Sequence, residues 1–191
     1  RTGQLLSLSS LATDCGITHN TARAWLSLLE TSYIIYFLRP YHKNFNKRLV
    51  KMPKLYFYDT GLAAYLADIE DKQHLLHHPI RGALFESFVI TDLLKARFNK
   101  AEPSNLYFWR DKNGHEVDCI MEHSLHPVLV EIKSGMTITE DFFDNLEYYQ
   151  KLSGMGADRS YVIYGGDQNQ VRCSAEVVAW DQFSKILKDK D

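Results

Sequence analysis

Three cysteines in 191 residues leave no basis for a disulfide framework. Cys15, Cys119 and Cys173 are far apart and odd in number, and none belongs to a Cys-x-x-Cys pair. That spacing argues against a zinc site and for free thiols in a reducing, cytoplasmic setting. No apolar run reaches the length of a membrane span, and the opening residues lack a secretory pattern. An excess of one charge is missing too. The 22 Lys and Arg stand against 24 Asp and Glu, a formal net charge of −2, so any surface for nucleic acid has to be local. The eight histidines form no ligand pattern, and His74, His77 and His78 read as a solvated cluster before Pro79. A Gly-x-x-x-x-Gly-Lys-Ser/Thr loop is absent, so nucleotide hydrolysis is not expected of these residues. The chain opens on Arg1 rather than Met, and the expectation is a C-terminal piece of a longer protein.

What is present suits one core, or one core with a small appended module: 45% hydrophobic and 13% aromatic residues at this length. Residues 1–67 read as the small module. Ser7 is placed to cap a short helix ending at Gly16, and Thr18 to cap a second from His19 to Leu29. Ala22, Trp25, Leu26 and Leu29 form the apolar stripe of that second helix. Two strand-like runs follow, Tyr33–Leu38 and Lys54–Tyr58, which completes a winged helix-turn-helix pattern. Between Arg39 and Tyr58 there are cations and no acid: Lys43, Lys47, Arg48, Lys51 and Lys54 make a basic wing suited to DNA phosphates. A solvated hairpin edge or a protein-binding module is the plainer alternative. Asp59 is read as an N-cap for a helix from Leu62 to Ala67, and the polar stretch 68–79 as a linker.

Residues 80–191 read as an α/β domain. A helix is predicted from Ile80 to Phe98, with Leu84, Phe88, Thr91 and Leu94 on one stripe and Glu86 among them. Three strands follow, Leu106–Arg110, Glu116–Glu122 and Pro127–Lys133, the first two joined by a turn at Lys112-Asn-Gly114. Thr139 is expected to cap a helix reaching Leu152, after which come a strand at Tyr161–Tyr164, a short one at Glu176–Trp180 and a terminal helix from Asp181 to Leu187. The order is αβββαβ.

The chemistry concentrates in Arg110-Asp-Lys-Asn-Gly-His-Glu-Val-Asp118 and Val130-Glu-Ile-Lys133. Side chains two apart on a strand share a face, so Glu131 and Lys133 lie together. Carboxylate oxygens suit a hard divalent cation, and a nearby lysine can hold water or phosphate. Taken alone, Glu-x-Lys is an ordinary exposed ion pair; the helix glutamate and Asp118 ahead of it make the arrangement specific.

Glu86, Asp118, Glu131 and Lys133 resemble the PD-(D/E)xK phosphodiesterase signature of restriction-endonuclease-like nucleases. The wider chain resembles the uncharacterised C-terminal domain that follows an AAA+ ATPase module in many bacterial and archaeal proteins. The phrases that carry this likeness are Pro53-Lys-Leu-Tyr-Phe-Tyr-Asp-Thr-Gly61, Gly82-Ala-Leu-Phe-Glu86, Tyr107-Phe-Trp-Arg110, Glu116-Val-Asp118 and Glu131-Ile-Lys133. One departure is Glu116, which stands where the signature places a proline. The resemblance implies a winged helix followed by a restriction-endonuclease-like domain, cutting DNA with Mg²⁺ or Mn²⁺ bound by Asp118, Glu131 and Glu86. It implies Lys133 as the group that positions water or steadies the phosphate, and ATP only in an N-terminal ATPase module outside this chain. Gln150 is where some such nucleases place a supporting glutamine, and Arg110 is either a phosphate contact or a structural ion pair. The alternative function is a catalytically silent nuclease-fold module that binds DNA or protein.

Overall fold

The computed structural model describes residues 1–42, 49–123 and 126–187. They form a mixed α/β protein of two compact units, one from Arg1–Arg39 and Lys51–Thr91, the other from Pro40–Val50 and Asp92–Asp191. Among the described residues no helix is long and apolar enough to cross a membrane.

The first unit begins with β1 (Gln4–Leu5), α1 (Leu8–Asp14) and α2 (His19–Thr31). Both helices start where the sequence offers an acceptor. The Ser7 side chain takes the N–H of Ser10, and that of Thr18 takes the N–H of Thr21. β2 (Ile35–Pro40) and β3 (Lys54–Phe57) follow, and β3 lies between β1 and β2, antiparallel to both. β2 starts two residues later than the apolar run suggests. Tyr33 and Ile34 first spend their N–H groups on the carbonyls of Glu30 and Leu29, closing the end of α2. Leu26, Ile35 and Leu55 form the local core, with Leu11 and Phe57 against it.

Asp59 caps α3 (Thr60–Tyr65) as expected, its Oδ1 accepting from Leu62 N at 3.0 Å. Residues 68–79 are more ordered than a linker. They hold α4 (Lys72–His77), capped by Asp71, whose side chain takes the His74 N–H. The long α5 (Arg81–Phe98) carries the division between the units within it, after Thr91. Its buried side includes Leu84, Ser87, Val89, Ile90, Thr91, Leu93 and Leu94. Leu84, Thr91 and Leu94 are buried as the stripe predicts, but Phe88 is 36% exposed and the small polar Ser87 beside it is buried. Ser87 and Thr91 are tolerated there because each finds a partner: Ser87 Oγ lies 2.7 Å from Thr2 Oγ1, and Thr91 Oγ1 lies 2.9 Å from Tyr36 Oη.

The second unit is built on six strands: β4 (Leu106–Arg110), β5 (Glu116–Met121), β6 (Val128–Lys133), β7 (Ser160–Tyr164), β8 (Gln170–Val171) and β9 (Glu176–Ala179). Their order is β4-β5-β6-β7-β9-β8. β4, β5 and β6 run as an antiparallel meander, whereas β6, β7 and β9 are parallel. The parallel strands read as continuous apolar runs because both faces are covered; every residue of β7 is buried. Between β6 and β7 comes α6 (Asp144–Ser153), which sets Leu146 and Tyr149 against Trp109, Ile120, Leu129 and Val162. Thr139 does not cap this helix. A 3-10 turn, Glu140–Phe142, intervenes, and Thr139 makes no side-chain capping bond. The last element is a 3-10 turn at Phe183–Leu187 instead of an α-helix. The sequence of elements from α5 through β7 is thus α, β, β, β, α, β.

Candidate functional site

The hairpin between β4 and β5 is closed from below by Asp111. Its Oδ1 accepts from the N–H groups of Asn113 and His115 at 2.9 and 3.1 Å, and Gly114 supplies the positive φ of 98° that the turn requires. Burial opposes ionisation here, but the hydrogen bond from the His115 side chain together with these two N–H groups outweighs it and holds the Asp111 carboxyl below the ordinary aspartate range. Its Oδ2 faces His115 Nδ1 at 3.3 Å and accepts from Tyr148 Oη at 3.3 Å.

Past the turn the ladder is irregular. Tyr107 pairs with Ile120 but Trp109 with Val117, so two steps on β4 meet three on β5. Asp118 sits in that extra step. A bulge re-aims side chains locally, and here Asp118 Oδ2 turns to accept from the backbone N–H of Ile132 at 2.9 Å. The regular β5–β6 pairing ends one residue away, at Cys119 and Val130.

Glu131 is the unusual member. It is 1% exposed, an extreme for a carboxylate. Its Oε1 accepts from Lys133 Nζ at 2.8 Å and from Asn145 Nδ2 at 3.2 Å. Its Oε2 is buried with no hydrogen-bond partner among the described residues. Burial pushes this carboxyl above the usual glutamate range, against the pull of the Lys133 ammonium. Burial alone would lower Lys133, but the carboxylates of Glu131 and Asp118 outweigh it and hold the amine above a free lysine. The Lys133 side chain is 29% exposed, so it opens to solvent on a site whose glutamate does not. The chain leaving Lys133 is pinned by Gly165, whose N–H donates to the carbonyls of Lys133 and Gly135, both at 3.0 Å. A Cβ at position 165 would meet the Ser134 carbonyl at 2.6 Å.

Two further residues complete the group. Asn145, in the first turn of α6, donates to Glu131 and accepts from the Glu116 N–H at 3.4 Å. Nothing in the linear sequence marks it, since Asp144-Asn145 reads only as a helix start. Glu116 has a carboxylate oxygen within 4.8 Å of one of Asp118, and it accepts from Arg110 at 2.8 Å. Arg110 is therefore engaged in an ion pair. Gln150 lies outside the group and ties α6 to Ser160 Oγ and the Ser174 carbonyl, both at 2.8 Å.

Glu86 belongs to the first unit, whereas Asp118, Glu131 and Lys133 belong to the second. On its own side, Glu86 Oε1 accepts from Lys54 Nζ at 2.8 Å and from the Tyr56 hydroxyl. Lys54 and Tyr56 are two apart on β3 and so reach the same carboxylate. This corrects the basic wing. Lys54 is 3% exposed and ion-paired, because it is the buried end of a strand and not part of a solvated hairpin tip. Lys51 is exposed. Lys43, Lys47 and Arg48 lie outside the described residues.

The donor set suits a hard divalent cation. Asp118 and Glu116 bring carboxylate oxygens within 4.8 Å of each other, and the orphaned Oε2 of Glu131 is separately a buried acceptor that a cation would satisfy.

Residues 1–73 match a domain of unknown function, DUF8612, and residues 81–183 match another, DUF4143. Uncharacterised proteins of Mycobacterium bovis and Mycobacterium tuberculosis are each 36% identical over 135 residues. That is 71% of this chain but 30% of either relative, so the chain spans about a third of the length of the curated relatives it matches. No solved structure matches it. With 81–183 covering more than half of its 191 residues, the chain belongs to the DUF4143 family of domains of unknown function.

Proposed function

We propose that the second unit is a metal-dependent nucleic-acid phosphodiesterase with a restriction-endonuclease-like fold. In this reading it is carried, with a DNA-binding winged helix, at the end of a larger cytoplasmic AAA+ ATPase. The observation that carries the reading is the buried, partnerless Oε2 of Glu131 beside a solvent-open Lys133. A protein keeps such an acceptor at a cost of about 1–3 kcal/mol unless something is bound there. Asp118 and Glu131 would hold Mg²⁺ or Mn²⁺, with the Ile132 carbonyl as a further ligand; Glu86 joins the set on the resemblance. When bound, the cation supplies charge neutralisation at the phosphate and a lowered pKa for water.

The chain's own groups do the rest. Asn145 and Lys133 fix Glu131 through one oxygen and leave the other directed elsewhere. Lys133 presents its remaining N–H bonds to the attacking water or to a phosphate oxygen. Water adds to phosphorus, the P–O bond to the leaving strand breaks, and that oxygen takes up a proton. Lys51, with Lys43, Lys47 and Arg48 of the preceding segment, would meet DNA phosphates.

The test is cleavage of supercoiled plasmid and labelled single strands with Mg²⁺ or Mn²⁺, wild type against Asp118→Ala, alongside a calorimetric titration with Mn²⁺. Metal-dependent cutting that the substitution removes is the expected result. Absence of both cutting and Mn²⁺ binding at millimolar metal would overturn the reading. One observation favours the silent-module alternative: Glu86 is already satisfied by Lys54 and Tyr56, as a purely structural carboxylate would be.

A further inference from the structure

His115 has no part in the chemistry above, yet its partly exposed ring is held by both a stacking contact and a carboxylate. Its imidazole stacks on Tyr148 with centroids 3.8 Å apart and planes within 8°. Its Nδ1 faces Asp111 Oδ2 at 3.3 Å, and the Tyr148 hydroxyl donates to the same oxygen. Turn closure does not require this, because Oδ1 and the Asp111 backbone already close the turn. The second oxygen is spent on orienting two rings whose outer member remains 39% exposed.

The place of the stack matters. Tyr148 lies three residues after Asn145 on α6, one turn along the same face, where neighbouring side chains are about 5–6 Å apart. Asn145 contacts Glu131 directly. The stacked ring is therefore linked to the carboxylate–lysine group through two side chains of α6, Tyr148 and Asn145. Lys112 and Asn113, both exposed at the turn, offer a cation and an amide beside it. A pre-oriented ring next to cations is how single strands are held: the bases stack and the backbone is neutralised.

We propose that the outer face of His115 is a stacking platform for an unpaired nucleobase, so that the second unit takes single-stranded or frayed DNA in preference to intact duplex. This rests on the phosphodiesterase reading for the placement of the scissile phosphate, but its test needs neither metal nor cutting.

The experiment is fluorescence anisotropy with a labelled mixed-sequence 15-nucleotide strand and its duplex, in EDTA, using the full 191-residue chain. Wild type is expected to prefer the single strand. His115→Ala should weaken single-strand binding by about tenfold and leave duplex binding unchanged, while His115→Phe, which keeps a ring, should retain most of the affinity. Equal loss in His115→Ala and His115→Phe would mean that the polar edge matters and not the face, and would overturn the proposal. So would an unaltered single-strand affinity in His115→Ala, equal loss for duplex, or no single-strand preference in wild type. Failure of the phosphodiesterase reading shows separately, as absent cutting and absent Mn²⁺ binding with the strand preference intact.

Discussion

Among the described residues two lysine–glutamate pairs close at the same length, and they are opposite in design. Lys54 and Glu86 in the first unit, and Lys133 and Glu131 in the second, both close at 2.8 Å. In the first pair the lysine is the buried partner at 3% exposure and the glutamate sits at 16%. In the second the glutamate is buried at 1% and the lysine reaches solvent at 29%. Glu86 serves a buried cation, with the Tyr56 hydroxyl donating to the same oxygen. Around Glu131 the roles reverse. The lysine and Asn145 serve a buried anion, and one of its oxygens remains unmet. The same two residue types thus make a structural strut in one place and a candidate reaction centre in the other, and burial decides which.

The comparison breaks most visibly in activity. Lys133→Ala should lower cleavage by about 10²–10³-fold, as for loss of a group that stabilises charge on the transition state, while circular dichroism stays that of wild type. Lys54→Met should leave turnover within about twofold, because Lys54 is not placed at the centre; a comparable loss in both would erase the distinction. The next largest effect is on stability. Glu86→Leu strands the buried Lys54 and should cost about 3–5 kcal/mol in denaturant melts. Glu131→Gln removes a buried charge and should stabilise the fold by about 1 kcal/mol while removing activity, the usual trade between function and stability. A strongly destabilised Glu131→Gln would show that the carboxylate serves the fold.

pH separates two carboxyls within the second unit. Glu131 has a raised folded pKa, so its contribution is fully present below the unfolded value near 4.5 and is lost as pH rises through the folded value. Asp111 is lowered, so its contribution is present above 3.8 and is lost as pH falls through its folded value. Melting temperature against pH should therefore rise less steeply on the acid side in Asp111→Asn, and should fall less above the unfolded value in Glu131→Gln. The smallest effect is expected at Asp59. Removing this N-cap by Asp59→Ala should cost about 1 kcal/mol without altering cleavage, since its oxygen is committed to the Leu62 N–H.

Local chemistry was legible in the residues themselves. Ser7, Thr18 and Asp59 each cap the helix that a short polar residue before an apolar run suggests, and β4 runs from Leu106 to Arg110 as expected. Glu131 and Lys133 were legible as a pair because strand parity is a local property. What escaped depends on distant partners. The burial of Lys54 is decided by Glu86, 32 residues away, and Asn145 joins the site only because α6 returns over β6. Phe88 lost its inward place to Ser87, whose hydroxyl finds Thr2. Thr139 failed as a cap because a 3-10 turn precedes α6, and propensity does not distinguish the two.

The extra residue in β5 sets a rule about length. Substitutions at the exposed turn positions Lys112 and Asn113 alter side chains that contact solvent. Inserting or deleting one residue between Trp109 and Cys119 instead absorbs or doubles the bulge, and Asp118 then swings away from the Ile132 amide. Lineages that diverge freely in the letters of this hairpin should accordingly hold its count fixed, and a homologue with a shortened or lengthened hairpin should be one that has given up the carboxylate as well.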